Sequence, residues 1–240
     1  MIRNWLAFWN GSHSIYVNAR HKDVHYHLIA KQIAALVPAP RARVRVLDYG
    51  CGEALHAEIV AAVAGELLLC EAAPRVCTRV ATRFAGNSKI RAVAPEDVER
   101  LPDRSLDFIV LHSVAQYLTP GEAGTLLALF HRLLPADGVL VVSDVIPTHV
   151  AAVTDALALL RFGAANRFLA AAIVGLARTL FSDYWHLRSR LGLTRYDEPA
   201  MTAMLAAAGF SARRADKNLG HNQARMTFLA RPASAAAPAP

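Results

Sequence analysis

The stretch Val46-Leu47-Asp48-Tyr49-Gly50-Cys51-Gly52 constrains this chain more than any other. Val44–Asp48 is a short apolar run with β-branched residues and reads as a buried strand. It ends in an acid and passes into two glycines, Gly50 and Gly52, that let the backbone turn tightly and approach a ligand where a Cβ would block the way. A helix is expected next, over about Glu53–Ala64, followed by a second strand, Leu67–Glu71. Its terminal acid, Glu71, lies about 20 residues beyond the loop, where a carboxylate meets the two ribose hydroxyls of a bound nucleoside.

The loop also narrows which nucleoside. A dinucleotide fingerprint needs a third small residue three positions after the second glycine, and Leu55 stands there. Asp48 would repel a pyrophosphate and attract an ammonium group. The ligand is therefore expected to carry an amino-acid arm rather than a diphosphate, and a dehydrogenase is disfavoured.

The alternation continues along the chain. Helices are expected over Pro74–Phe84, Gly121–Leu134 and Glu198–Ala208, and strands over Ile90–Ala94, Leu106–Leu111, Gly138–Asp144, Ser211–Asp216 and Arg225–Ala230. The fold class is α/β: a Rossmann-like, seven-stranded, mostly parallel sheet with helices on both faces. With 240 residues, 54% of them hydrophobic, the chain can bury one sizeable core. Residues 1–40 form an N-terminal lid that becomes a helix over about His21–Leu36, ended by Pro38 and Pro40. Residues 41–231 form the main domain, 148–193 a helical cap insertion, and 232–240 an Ala/Pro/Ser tail expected to be disordered.

Charge and cysteine content exclude more than they assign. The net charge of +7 comes from scattered arginines, which favours a solvated basic surface over a nucleic-acid patch. Three cysteines and an N-terminus, Met1–Gly11, without a secretory pattern point to a reducing, cytoplasmic setting. The most apolar run, Phe168–Ala177, is too short to span a bilayer.

The loop resembles motif I of the class I S-adenosylmethionine-dependent methyltransferases, whose form is an apolar strand, an acid, any residue, Gly, any residue, Gly. The resemblance covers about Val44–Ala230. It implies S-adenosyl-L-methionine as cofactor, an antiparallel last strand, and an N-terminal helix over the site, with Tyr16 and Asn18 placed to close it. It further implies that Asp48, Gly50, Cys51 and Gly52 line the methionine and ribose portion and that Glu71 holds the ribose hydroxyls. Glu96-Asp97-Val98-Glu99-Arg100-Leu101-Pro102 looks like the family's acid-x-x-x-Leu-Pro loop. On that likeness Asp97 accepts from the adenine amino group and the Val98 backbone N–H donates to the ring; Asp97 equally suits a helix cap, with Glu96 then the contact. His112 and Ser113, at the end of the fourth strand, would face the sulfur and the acceptor.

The expected catalytic residues are His112, Tyr117 and His221. Imidazole titrates near neutrality and suits an acceptor that must lose a proton, so His112 is the candidate base. Gln116 and Tyr117 offer hydrogen bonds at the pocket wall, and His221 and Gln223 lie in the turn between the last two strands. No metal site is expected: His21 and His25 share a helical face with His27 nearby, but no acid or cysteine set completes a ligand group.

The insertion is apolar, with Leu157, Leu160, Phe162, Phe168 and Ile173 among arginines 161, 167, 178, 188 and 190, and Tyr184, Trp185 and His186 toward its end. Apolar walls with basic residues suit a small-molecule acceptor that is lipophilic or anionic, or a peripheral contact with an anionic lipid surface. The alternatives are an RNA-modifying methyltransferase and a non-catalytic cofactor-binding partner subunit. A nucleic-acid substrate is disfavoured, because His112-Ser113-Val114-Ala115 stands where base-amino methylation needs Asn/Asp-Pro-Pro-aromatic.

Overall fold

Strands Arg45–Tyr49 (β1), Glu66–Cys70 (β2), Ile90–Val93 (β3) and Phe108–His112 (β4) are bounded by glycine, proline or polar turns; β2 and β4 are almost wholly buried, as the inner part of a covered parallel sheet requires, while β3 at the edge exposes Arg91. The computed structural model describes residues 2–11, 15–39, 43–179 and 192–233. Val139–Val145 (β5), Phe210–Arg214 (β6) and Met226–Pro232 (β7) complete one seven-stranded sheet of order β3-β2-β1-β4-β5-β7-β6. β1 to β5 run parallel, whereas β7 pairs antiparallel with both β5 and β6. The sheet expected from the sequence, last strand included, is the one observed.

Alternate side chains point to opposite faces of the sheet and feed two cores. One face buries Val46, Leu67, Leu69, Phe108 and Val110 against helices Ala19–Leu36 (α2), Ala57–Ala61 (α3) and Pro74–Phe84 (α4). The other buries Leu47, Leu68, Ile109, Leu111 and Phe228 against Pro120–Leu133 (α6) and Glu198–Ala207 (α9). Local chemistry sets the helix starts. Pro74 opens α4 at its first turn, where a missing N–H costs nothing. Thr119 and Glu122 form a reciprocal cap on α6, the Thr119 N–H donating to Glu122 Oε2 at 2.7 Å. The Asp197 carboxylate accepts from Ala200 N at 2.8 Å to cap α9.

Strand order reverses at β1 and β4, so a crevice opens at the carboxyl ends of these strands. Four elements differ from the sequence expectation. The helix expected over Glu53–Ala64 forms only over Ala57–Ala61, because Gly52, Ala54 and His56 hold left-handed conformations that no helix contains. A helix, Ile2–Asn10 (α1), forms in the leader, and a short helix, Pro95–Glu99 (α5), follows β3. β7 runs on to Pro232, the first residue of the expected tail; residues 234–240 lie outside the described ones.

The insertion is helical where described. Ala152–Ala165 (α7) and Leu169–Thr179 (α8) pack together where Gly163 meets Phe168 and Ala172; a Cβ on Gly163 would stand 3.2 Å from each. Tyr184, Trp185, His186, Arg188 and Arg190 lie outside the described residues. Among the described residues no helix is long and apolar enough to cross a membrane.

Candidate functional site

The glycine loop is tied to the end of β2: Gly50 N and Cys51 N both donate to the Cys70 carbonyl, at 2.9 and 3.1 Å. Gly50 has φ +79°, and a Cβ there would stand 2.3 Å from Val114 Cγ2. Gly52 has φ +59°, and its Cβ would meet the Tyr26 hydroxyl at 2.6 Å. Neither position admits a side chain. Glu71 is clamped over the loop: its carboxylate accepts from Gly52 N at 2.9 Å and from Ala73 N at 2.8 Å. Burial raises the Glu71 carboxyl above its ordinary range, and these backbone donors oppose the rise.

Asp48 sits beside it, with no donor among the described residues to its carboxylate. Burial, and secondarily the neighbouring Glu71, pushes it up to about 7. A buried acid next to a second acid calls for a cation, and the ammonium of an amino-acid arm supplies one. Two glycines that exclude side chains and two acids side by side at the tips of β1 and β2 suit a nucleoside with an ammonium arm, as S-adenosylmethionine is. The Cys51 thiol, pushed up by burial, is no nucleophile and fills the loop.

Asp97 and Val98 are engaged within their own helix. The Asp97 carboxylate accepts from Ala94 N at 3.1 Å and pairs with Arg100 at 3.4 Å, while Val98 N donates to the Ala94 carbonyl at 3.3 Å.

Helix α2 covers the glycine loop. The Tyr26 hydroxyl accepts from Glu53 N at 3.0 Å, Lys22 pairs with Glu53, and Asp23 meets His56 at 2.8 Å. The Asn18 side chain caps α2 by accepting from His21 N at 2.8 Å, and the Tyr16 ring lies 5.4–5.8 Å from His21, His25 and Tyr26. Helix α1 adds Asn10, which accepts from Arg75 N at 2.9 Å, and Trp5 and Trp9, whose rings pack on Tyr117 at 4.7 and 5.7 Å.

A cavity of about 120 Å³ lies at the tips of β4 and β5. It is lined by His25 from α2, His112 from β4, Asp144 from β5, Asp155 from α7, and Gly220, His221, Asn222 and Arg225 from the β6–β7 connection. His112 and His221, expected from sequence to be catalytic, are brought together here; Tyr117 is not among the lining residues. Gln223 lines an outer groove of about 460 Å³ with Leu28, Leu157, Arg161 and Phe162, and that groove shares His221 and Asn222 with the cavity.

The cavity is polar and tightly braced. Ser113 (φ +57°) and Asp144 (φ +62°) both adopt left-handed backbone, at a cost of about 1 kcal/mol or more each. The surroundings hold them there: Ser113 Oγ donates to the Asp144 carboxylate, Arg225 pairs with it at 2.7 Å, and Asn218 Oδ1 accepts Asp144 N at 3.1 Å. Arg225 also reaches Asp155 at 3.3 Å and so ties the cap to the sheet. Burial alone would raise the Asp144 carboxyl, but Arg225, with smaller help from His112 and Ser113, brings it below its ordinary value.

The imidazoles are held neutral. Burial, then His112 and the other histidines, brings His25 down to about 3; burial, then His221, brings His21 to about 4. His112 and His221 are lowered chiefly by burial. His112 Nδ1 meets Ser143 Oγ at 2.9 Å. Its Nε2, with Nδ1 of His25 and of His221, is buried and has no hydrogen-bond partner among the described residues. Three bare imidazole nitrogens around one cavity are a site for a hydrogen-bonding guest.

Sequence reasoning missed Asp144, Asp155 and Arg225, and weighed His25 only as a metal ligand. Asp144 carried one readable signal, an acid at the tip of a strand beside the switch point.

A seven-stranded sheet of this order, with a nucleoside loop after β1 and a polar cavity at the tips of β4 and β5, defines a Rossmann-like methyltransferase fold. Residues 47–142 match the model of a family described as a methyltransferase domain. That match runs from within β1, through the glycine loop, into β5. By sequence it matches no curated protein. Among solved structures it is similar to magnesium protoporphyrin IX methyltransferase from Synechocystis PCC 6803, crystallised with S-adenosylmethionine, at 14% identity and TM-score 0.56, over 97% of this chain and 91% of that one. It is similar to the YcgJ protein of Bacillus subtilis at 14% identity and TM-score 0.58, over 88% and 100% of the two chains. A third likeness, to DhpI in complex with S-adenosylhomocysteine, has 13% identity and TM-score 0.58 over 98% of both. At these identities the likenesses speak to the fold.

Proposed function

We propose that this chain methylates an oxygen or nitrogen of a small, lipophilic metabolite bound in the histidine-lined cavity. The observation that carries this reading is the set of three unpartnered imidazole nitrogens at the tips of β4 and β5, beside a glycine loop shaped for the cofactor. The bound cofactor supplies a methyl group on a sulfonium, whose sulfur keeps the bonding electron pair when the methyl leaves. Asp48 would pair with its ammonium, Glu71 with the ribose hydroxyls, and Asp97 and Val98 would lie at the adenine end.

The protein's share of catalysis is alignment and desolvation. His112 Nε2 would receive the hydrogen of the acceptor O–H or N–H, orienting a lone pair toward the methyl. His221 and Ser113 would fix the second side of that group. The imidazoles are too weakly basic to keep a proton, so once the new bond to carbon forms it passes outward to water. The apolar body of the acceptor would lie in the outer groove along Leu28, Leu157 and Phe162, with Arg161 at its rim accommodating an anionic substituent. Free thiols at Cys51, Cys70 and Cys77 suit a reducing, cytoplasmic setting.

The test is methyl-labelled S-adenosylmethionine incubated with the protein and fractionated cell extract. Label is expected in a small organic-extractable compound, and His112→Asn should cut the rate about a hundredfold while cofactor binding persists. Label recovered in RNA or protein would overturn the acceptor class.

A further inference from the structure

The large apolar side chains left exposed among the described residues are Val153, Leu157, Leu169, Ile173 and Val174, and all five lie on the paired cap helices α7 and α8. The rest of the described surface keeps such residues covered, so this placement marks a face built to meet something. Val153, Leu157 and Arg161 recur every four residues on α7, and Leu169 and Ile173 do so on α8, each forming one stripe along its helix. On α8 the opposite side is committed inward, with Phe168 and Ala172 buried and Gly175 set against Val17, where a Cβ would meet Val17 Cγ1 at 2.2 Å.

Charge selects the occupant. The exposed charges on and between the two helices are Arg161, Arg167 and Arg178, all positive. The one acid on either helix, Asp155, is turned inward to Arg225 and Asn222. A second copy of this face would bring like charges together, whereas an anionic bilayer surface matches both the apolar stripes and the arginines. The net charge of +7 acts in the same sense. The outer groove has Leu157 and Arg161 in its wall, so it opens beside this face.

We propose that α7 and α8 dock the protein on an anionic lipid surface, their apolar stripes at the acyl boundary and their arginines among the headgroups. Docking there places the mouth of the outer groove against the source of a lipophilic molecule. The inference rests on the cap surface alone and does not depend on which molecule is methylated.

The experiment is co-sedimentation of the full chain with vesicles of phosphatidylcholine containing phosphatidylglycerol, and with vesicles of phosphatidylcholine alone. Binding to the anionic vesicles is expected, weakening as salt rises. A Val153→Ser/Ile173→Ser variant should partition about tenfold or more less, since each change removes a buried apolar side chain. An Arg167→Gln/Arg178→Gln variant should lose the preference for anionic vesicles. Melting temperature and S-adenosylmethionine binding, measured on the same samples, should stay at their unsubstituted values and so report that the variants fold. Absence of vesicle binding by the unsubstituted chain, or equal binding by the serine variant, overturns the proposal. So does a dimer, seen by light scattering, that the serine variant dissolves while vesicles bind neither form.

Discussion

Glu71 shows how a single side chain is prepared for a ligand. Two backbone N–H groups, from Gly52 and Ala73, fix its carboxylate, and its remaining lone pairs are those the proposed ribose contact would use. Glu71→Ala should weaken S-adenosylmethionine binding about tenfold or more, read by calorimetry; unchanged affinity would remove the ribose assignment. Arg225 shows the opposite case, a charge whose loss strands another. Arg225→Met leaves Asp144 buried without its cation and should cost about 3 kcal/mol in urea unfolding, with Asp144→Asn in the same chain recovering part of it. The two residues differ in legibility for one reason. Asp48, Gly50, Gly52 and Glu71 sit within one strand–loop–helix–strand unit, so their spacing makes them readable together as a candidate set. Arg225 and Asp144 are 81 residues apart in sequence, and His25 joins His112 and His221 from a helix before the first strand. Only the folded sheet brings such residues together, and no local pattern encodes that.

At the scale of elements, the strands and most helix boundaries followed from apolar periodicity, proline starts and caps. The exceptions lie where tertiary contact overrides local preference. Residues 53–56 do not begin a helix, because the chain stays in left-handed turns while Tyr26 of α2 occupies the space above Gly52. Helix α1 lacks an acidic first turn, and its Trp5 and Trp9 pack on Tyr117, a contact that local sequence does not encode. Helix α2 packs its C-terminal half into the core and reaches the loop from its N-terminal half through polar contacts at Glu53 and His56. Tyr26→Ala should therefore speed amide exchange over residues 50–56. Adding S-adenosylmethionine should slow exchange there in the unsubstituted chain. If the variant left this exchange unaltered, α2 would not be the cover.

The whole molecule stores a pH response in its histidines. His21, His25, His112 and His221 have lowered pKa values in the fold, while the unfolded chain titrates near 6.5. Below that pH the unfolded state binds protons that the folded state refuses, so stability falls on acidification. The slope approaches about 1.4 kcal/mol per pH unit for each histidine, until the folded values, about 4 for His21 and about 3 for His25, are reached. Asp48, raised to about 7, acts in the other sense and gains stability as it protonates below that pH. Comparison of variants separates the two. Between pH 7 and pH 5 the unsubstituted chain should lose more stability than His25→Asn, and parallel losses would contradict a neutral buried His25. The central claim is more direct still: a side-chain-free loop flanked by Asp48 and Glu71 holds a nucleoside with an ammonium arm. Calorimetric titration of the full chain with S-adenosylmethionine, S-adenosylhomocysteine and NAD tests it in one series. Saturable binding of the first two and none of the third is expected; binding of NAD alone, or of none of them, would contradict it.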